Sequence, residues 1–112
     1  MTEDFKVLGQ TEVTDNGTYH DLYTVPSGKR AVISSLMVCN LDGSAGAFNV
    51  LIAVGGAGFD NKQVIYSKLT ITSPNTFSGT LGITLAAGDV IRVALDSGAD
   101  CAFSLYGSEI TP

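Results

Sequence analysis

The chain has 112 residues, of which 45% are hydrophobic and 15% are charged, and its formal net charge is −5. This length suits a single domain with one hydrophobic core, and the apolar content excludes intrinsic disorder. Only six basic residues are present, too few for a surface that tracks phosphates, so nucleic acid is not an expected partner.

The predicted secondary structure is almost entirely β. Apolar residues do not recur at helical spacing over three turns, whereas short β-rich runs recur about every ten residues between turn signals. In chain order, the predicted strands cover residues 5–13, 18–25, 30–40, 47–54, 63–69, 77–85, 90–95 and 101–110. This pattern predicts an all-β fold: an antiparallel β-sandwich of two sheets and eight or nine short strands.

The strongest strand signal is the run from Arg30 to Asn40. Strict alternation along this run places Ile33 and Met37 on one face and Leu36 and Val38 on the other. Because both faces are largely apolar, we expect a central strand that is covered on both sides.

The start of the chain is polar, and we expect residues 1–5 to form a flexible N-terminal tail ahead of a single β-sandwich domain at 6–112. The segment Met1–Lys6 lacks the apolar stretch of a signal peptide. No apolar run approaches the roughly 18 residues that a membrane span needs. A membrane is therefore not an expected partner.

The inventory of nucleophiles and metal ligands argues against an enzyme. His20 is the only histidine, whereas a catalytic triad or a zinc site needs several convergent partners. Cys39 and Cys101 are too few for structural zinc, and they fit either two buried thiols in a reducing compartment or a single disulfide bridge. We predict no catalytic residue and no cofactor.

Carboxylates and aromatic residues each allow a binding site beside a structural role. Asp96 and Asp100 flank a short turn and could hold Ca²⁺ with backbone carbonyls, but EF-hand spacing is missing. Bonding to the turn backbone is the favoured interpretation, and no metal site is predicted. Several aromatic residues could form a platform for stacking sugars, although core packing is more usual for them: Tyr19, Tyr23, Tyr66, Tyr106 and Phe59.

The predicted strands contain few of the residues that prevent open sheet edges from pairing with other chains. Few prolines and few charges fall in the predicted strands, and the mean hydropathy of +0.27 is high for a small monomer. We therefore expect part of the surface to be covered by copies of the same chain or by a larger assembly.

Three segments resemble small virion proteins of tailed bacteriophages, especially those of aquatic and cyanobacterial hosts. They cover residues 23–40 (YTVPSGKRAVISSLMVCN), 84–93 (TLAAGDVIRV) and 103–110 (FSLYGSEI). The resemblance implies a jelly-roll-like β-sandwich in the virion, synthesised in the host cytoplasm. It also implies a capsid decoration, or cement, protein that binds the major capsid protein on the outer capsid surface as a homotrimer. The alternative is a tail or fibre component that binds glycans on the host surface through a platform around Phe59 and Tyr66.

Two segments are candidates for contact with the capsid or with a neighbouring subunit. The first is the predicted tail, which could become ordered on a neighbour: Thr2, Glu3, Asp4, Phe5 and Lys6. The second is the tight turn that carries Lys29 and Arg30, which could meet an acidic patch. A disordered tail and a solvated basic turn are the structural alternatives.

Overall fold

The computed structural model describes residues 2–72, 75–98 and 100–112. Two short 3-10 turns, Val54–Gly56 and Asn61–Gln63, lie between the fourth and fifth strands. The eight strands are β1 (Thr2–Val13), β2 (His20–Thr24), β3 (Arg30–Asn40), β4 (Gly46–Ala53), β5 (Val64–Ile71), β6 (Thr76–Leu85), β7 (Val90–Ser97) and β8 (Cys101–Thr111).

The strands form two antiparallel sheets of four strands each. Sheet I has the order β1-β8-β3-β6 and sheet II has the order β2-β7-β4-β5. The first strand therefore pairs with the last, the second with the seventh, the third with the sixth and the fourth with the fifth. That nested pairing is the topology of a jelly roll. The predicted all-β class and two-sheet sandwich are confirmed.

One hydrophobic core lies between the two sheets. At its centre, Phe48 of β4 contacts Phe103 of β8 and Phe77 of β6, with ring centroids 5.9 and 5.4 Å apart. The other large side chains of this core with almost no exposed surface come from both sheets and from the segment just after β2: Val13, Val25, Ile33, Leu36, Val38, Val50, Ile91, Leu95 and Leu105.

β3 corrects the prediction made from strict alternation. The strand is central, between β8 and β6, but only one of its faces is buried, and Met37 on the other face is 39% exposed. A register shift between Ile33 and Ser35 makes Ser34 an extra residue. Because such a bulge reverses the alternation, Ile33 and Leu36 both point into the core.

Bulges occur at the same level across sheet I. β1 shifts register between Val7 and Gly9 as it passes Tyr106 of β8, and β3 shifts against Tyr106 from the other side. Each bulge bends its strand, so bulges at one level bend the sheet. Gly107 sits at this bend, where a Cβ would lie 2.1 Å from the Val32 carbonyl oxygen.

The predicted free tail is wrong for residues 2–5. Thr2 pairs with Thr111 and Phe5 pairs with Ser108, so these residues form the start of β1. The backbone hydrogen bonds to β8 hold a polar segment whose composition alone indicated a tail. Residue 1 lies outside the described residues.

Candidate functional site

The predicted contact residues of the first segment lie in the N-terminal half of β1. All of the residues from Thr2 to Val7 are exposed, and Phe5 is 77% exposed. β1 is the last strand of its sheet on this side, so no described strand pairs with its second edge. The segment is thus an ordered, exposed sheet edge.

The structure brings Lys6 and Lys29 together around a residue that the sequence analysis missed. The Glu109 side chain is 6% exposed, and its Oε1 lies 2.7 Å from Lys6 Nζ and 3.8 Å from Lys29 Nζ. Tyr23 Oη of the opposite sheet donates a 2.7 Å hydrogen bond to Glu109 Oε2. Arg30 is placed elsewhere, opposite Ile110 on the outer face of sheet I.

These contacts account for the titration of the cluster. The hydrogen bond from Lys6, followed by that from Tyr23, lowers the pKa of Glu109 below its usual 4.5. The same contact raises the pKa of Lys6. Burial, and then the bond to Glu109, raises the pKa of the Tyr23 phenol. The arrangement is an ion-pair cluster that clamps β1 and the β2–β3 turn onto β8.

A sequence signal for Glu109 exists. Cys101, Phe103, Leu105 and Glu109 are spaced in multiples of two along β8, so strand alternation places the carboxylate on the inward face. A charge in phase with core residues requires a partner inside the fold. The partners themselves lie on β1, β2 and the turn after β2, and their convergence is a tertiary property.

The outer face of sheet I carries a shallow depression beside β1. Its volume is about 400 Å³, and it is lined by Phe5, Lys6, Val32, Ser34, Tyr106, Gly107 and Ser108. The depression lies where the bulges bend the sheet, and the Ser34 hydroxyl donates a 3.0 Å hydrogen bond to the Tyr106 carbonyl there.

Between Val32 and Cys39 of β3, the outer face of sheet I is free of charge across β8, β3 and β6, whereas Arg30 lies at the end of this face, beside Ile110. Directly paired residues share a face, and the register places uncharged residues in rows around Met37, which pairs with Ser78 on one side and Ser104 on the other. The remaining rows of this uncharged face are Cys39 with Thr76 and Ala102, Ser35 with Thr80 and Tyr106, and Val32 with Thr84 and Ser108.

The predicted aromatic platform around Phe59 and Tyr66 does not form. Tyr66 makes edge contacts with Phe48 and Phe77 and packs against the core. Phe59 instead stacks on Tyr19, with ring centroids 5.0 Å apart, and is 54% exposed. An aromatic pair is therefore present at the surface, but with a different partner.

The His20 side chain has a local role. Its Nε2 lies 2.8 Å from Asp15 Oδ1, and this hydrogen bond lowers the pKa of Asp15. Within the described residues, no group of three or more His, Cys, Asp or Glu side chains is arranged to hold a metal ion. The Asp96 and Asp100 side chains therefore do not assemble a calcium site with other acidic residues of the described chain.

The two cysteines are free thiols on opposite faces of sheet I. Cys101 pairs with Asn40, which is buried, whereas Cys39 is one residue earlier on β3 and lies on the outer face. Burial raises the pKa of the Cys101 thiol to about 11, so this thiol is protonated and poorly nucleophilic at neutral pH. Both thiols are free, but only Cys101 is buried as the first alternative expected.

Comparison with solved structures identifies the fold. A chain of the acid-stable capsid structure of Helicobacter pylori bacteriophage KHP30 superposes with a TM-score of 0.54 and 14% sequence identity, covering 97% of both chains. The two chains share one fold. No protein-family model and no curated protein matches the sequence.

Two further solved structures are more distant. One is a chain from the structure of infectious bursal disease virus, Gx strain, with a TM-score of 0.46 and 12% identity. The match covers 96% of this chain and 30% of that chain. The other is a pentameric capsid protein isolated from metagenomic phage sequences, with a TM-score of 0.35, 12% identity and coverage of 92% and 61%. In the described part of the chain, no helix has the length and apolarity needed to cross a membrane.

Proposed function

We propose that this protein is a structural component of a bacteriophage virion, and specifically a capsid decoration protein. It would bind the outer capsid surface as a homotrimer and stabilise contacts between major capsid protein subunits. The observation that carries the proposal is the full-length match of this jelly roll to a chain of a phage capsid. The segments that resemble small phage virion proteins support the same role.

The uncharged face of sheet I is the surface we assign to the shell. Interface cores are depleted in charged residues because each charge has to be desolvated on binding. This face presents Met37 among hydroxyl groups and no charge, in a chain whose net charge is −5. Three copies held about one axis would bind through three such faces, and the avidity would exceed the affinity of a single contact.

The predicted contact residues divide into two groups in this proposal. Thr2, Glu3, Asp4, Phe5 and Arg30 are exposed and remain candidates for contact with the capsid or a neighbouring subunit. Lys6 and Lys29 neutralise Glu109 within the fold, and the Lys6 side chain, which is 42% exposed, also remains accessible to a neighbouring subunit. No cofactor takes part in this function.

Binding to shells that lack the protein tests the proposal. Wild-type protein should bind in high copy number, and cryo-EM should show density on the outer surface with sheet I facing the shell. Met37→Glu places a charge on the uncharged face and should abolish binding. Ile65→Glu is the matched control because Ile65 lies on sheet II and is also 39% exposed. Equal binding by both variants would exclude the uncharged face as the contact.

Size-exclusion chromatography with light scattering tests the trimer separately. The purified chain should elute with three times the monomer mass of 11.6 kDa or with a multiple of that trimer mass. A strictly monomeric species over the accessible concentration range would contradict the homotrimer but would leave the capsid contact to be judged by the binding experiment.

The alternative of a tail or fibre component that binds glycans rests on the Tyr19–Phe59 stack. Exposed aromatic faces can stack on sugar rings, and this pair is the surface feature that would support such binding. Low copy number per virion, together with glycan binding that Phe59→Ala removes, would favour this function over decoration.

A further inference from the structure

The N-terminal half of β1 is an edge strand, and on its open side the backbone hydrogen-bonding groups have no partner strand in the described chain. Its residues from Thr2 to Val7 are all exposed, and Phe5 and Val7 retain 77% and 48% of their surface. Unpaired edge strands present a row of free backbone donors and acceptors that can accept a further strand. From Leu8 onward β1 is no longer uniformly exposed, and the inner face of Gly9 lies against the Leu22 carbonyl of β2, so we take the segment before Gly9 as the docking edge.

We propose that this open edge pairs antiparallel with the same segment of a second copy, with Phe5 directly opposite Phe5 of that copy. Strand addition about a twofold axis would join sheet I of both copies into one continuous sheet of eight strands. The inference concerns an interface of this chain with itself and does not rest on the capsid role.

Charge complementarity indicates both that the partner strand is β1 of a second copy and which residues lie opposite one another. Residues opposite one another in a continuous sheet share a face, so an antiparallel β1–β1 pair has to place odd numbers opposite odd and even opposite even. With Phe5 at the centre, Asp4 of each copy lies opposite Lys6 of the other. The two apolar rings face each other on the outer face, and two ion pairs form on the inner face.

The neighbouring registers are disfavoured by the same rule. Centring the pair one residue earlier places Asp4 opposite Asp4, and centring it one residue later places Lys6 opposite Lys6. Like charges directly opposite one another destabilise a sheet. Centring it at Val7 brings Phe5 of each copy opposite Gly9 of the other, beyond the bulge at Leu8, where Gly9 belongs to the inner face and Phe5 to the outer one. The segment is thus self-complementary in one register.

This contact lies on a twofold axis, so it is distinct from the threefold contacts within the proposed trimer. If both exist, β1 pairing joins one trimer to the next. The other edge strand of sheet I is β6, which carries no charged residue and remains free for a different contact.

Single-cysteine variants and a short bifunctional maleimide test the register. All variants are made in a Cys39→Ser background, so that the half-exposed native thiol does not react, while Cys101 stays buried. Phe5→Cys should give a covalent dimer on a denaturing gel, because opposed residues have Cβ atoms about 5 Å apart. Glu3→Cys and Val7→Cys should not link alone, since like positions are offset by four residues, or about 13 Å along the strand. Mixing these two variants should restore the dimer.

Absence of a link for both Phe5→Cys and the mixture, in variants whose circular dichroism is native, would overturn the proposal. A link in Glu3→Cys alone would overturn the register. These readouts need no shells, so their failure is distinct from failure of the capsid proposal.

A charge pair gives an independent measurement. Asp4→Lys places a lysine opposite Lys6 at two positions of the pair. The association constant measured by sedimentation should fall by about tenfold or more. Glu3→Lys changes the net charge equally but lies opposite Val7, so it should leave association within about twofold of wild type. Equal effects of the two variants would indicate a general charge effect and contradict the pairing.

Discussion

At the scale of single residues, the buried carboxylate of Glu109 is held by contacts from distant parts of the chain. Glu109 is 5% exposed as a residue, and its carboxylate is tolerated because Tyr23 and Lys6 donate hydrogen bonds to it and because Lys6 and Lys29 place two positive charges beside it. Removing one partner of a buried pair leaves an uncompensated charge, which costs more than the pair contributes. The cluster therefore fixes how β1, β2 and β8 meet.

Glu109→Gln should lower the free energy of unfolding by about 1–3 kcal/mol. The amide can still accept from Tyr23, but Lys6 and Lys29 lose their anion. Urea unfolding measures the change. Glu3→Gln removes the same charge at an exposed position and should stay within about 0.5 kcal/mol of wild type. Equal values for the two variants would mean that the cluster does not contribute.

The pH dependence of stability should differ between wild type and Glu109→Gln. The folded-state pKa of Glu109 is lowered below 4.5, so its contribution is full above the unfolded pKa and is lost as the pH falls through the folded value. The difference in unfolding free energy between the two proteins should therefore shrink as the pH drops below 4.5. A difference that stays constant over this range would contradict the ion-pair account.

Lys68 occupies a backbone conformation that suits glycine. It has φ +52° at the bulge in β5, where the Asn49 side chain accepts a hydrogen bond from its backbone N–H. Lys68→Gly should raise the melting temperature, with a stabilisation of about 0.5–1 kcal/mol, because a residue with a Cβ is strained there. Thr70→Gly, two residues along and without a positive φ, should lower it instead.

At the scale of elements, sheet I depends on bulges at one level in neighbouring strands. Leu8 and Ser34 are the extra residues of β1 and β3 on either side of β8. Bulges bend a sheet, and the depression beside Phe5 is lined by Ser34, Tyr106 and Gly107 of this region. Gly107 at the bend has no room for a side chain.

Gly107→Ala should destabilise the protein by about 2–4 kcal/mol, because its Cβ would lie 2.1 Å from the Val32 carbonyl oxygen. Chemical denaturation provides the measurement. Gly58→Ala is the matched control, since a Cβ there has no neighbour within 4 Å. A cost near that of the control would show that the backbone at the bend can relax.

At the scale of the whole molecule, the nested topology makes the two sheets interdependent. The first strand pairs with the last, so β1 cannot complete its sheet until β8 is in place. Such long-range pairing raises the entropic cost of the folding transition state and slows folding. We expect the sheets to unfold in one transition because Phe48 of sheet II packs on two rings of sheet I.

Phe48→Ala should lower the free energy of unfolding by about 3–5 kcal/mol. Since small domains have a total of about 5–15 kcal/mol, this variant should be close to unfolding at ambient temperature. Calorimetry should show one transition at a much lower temperature. Phe59→Ala removes an equal ring from an exposed stack and should cost less than about 1.5 kcal/mol. Two separate transitions would contradict the shared core.

The sequence by itself determined the strands and the sandwich. β3 begins and ends where the pattern predicts, at Arg30 and Asn40, because period-two alternation and turn residues act over a few neighbouring positions. Only the tertiary structure decided that Thr2–Phe5 forms a strand and that Ser34 reverses the alternation of β3. It also decided that Glu109 contacts Lys6, Lys29 and Tyr23. These features depend on contacts between residues about a hundred positions apart, such as Thr2 with Thr111, and no local pattern encodes such contacts.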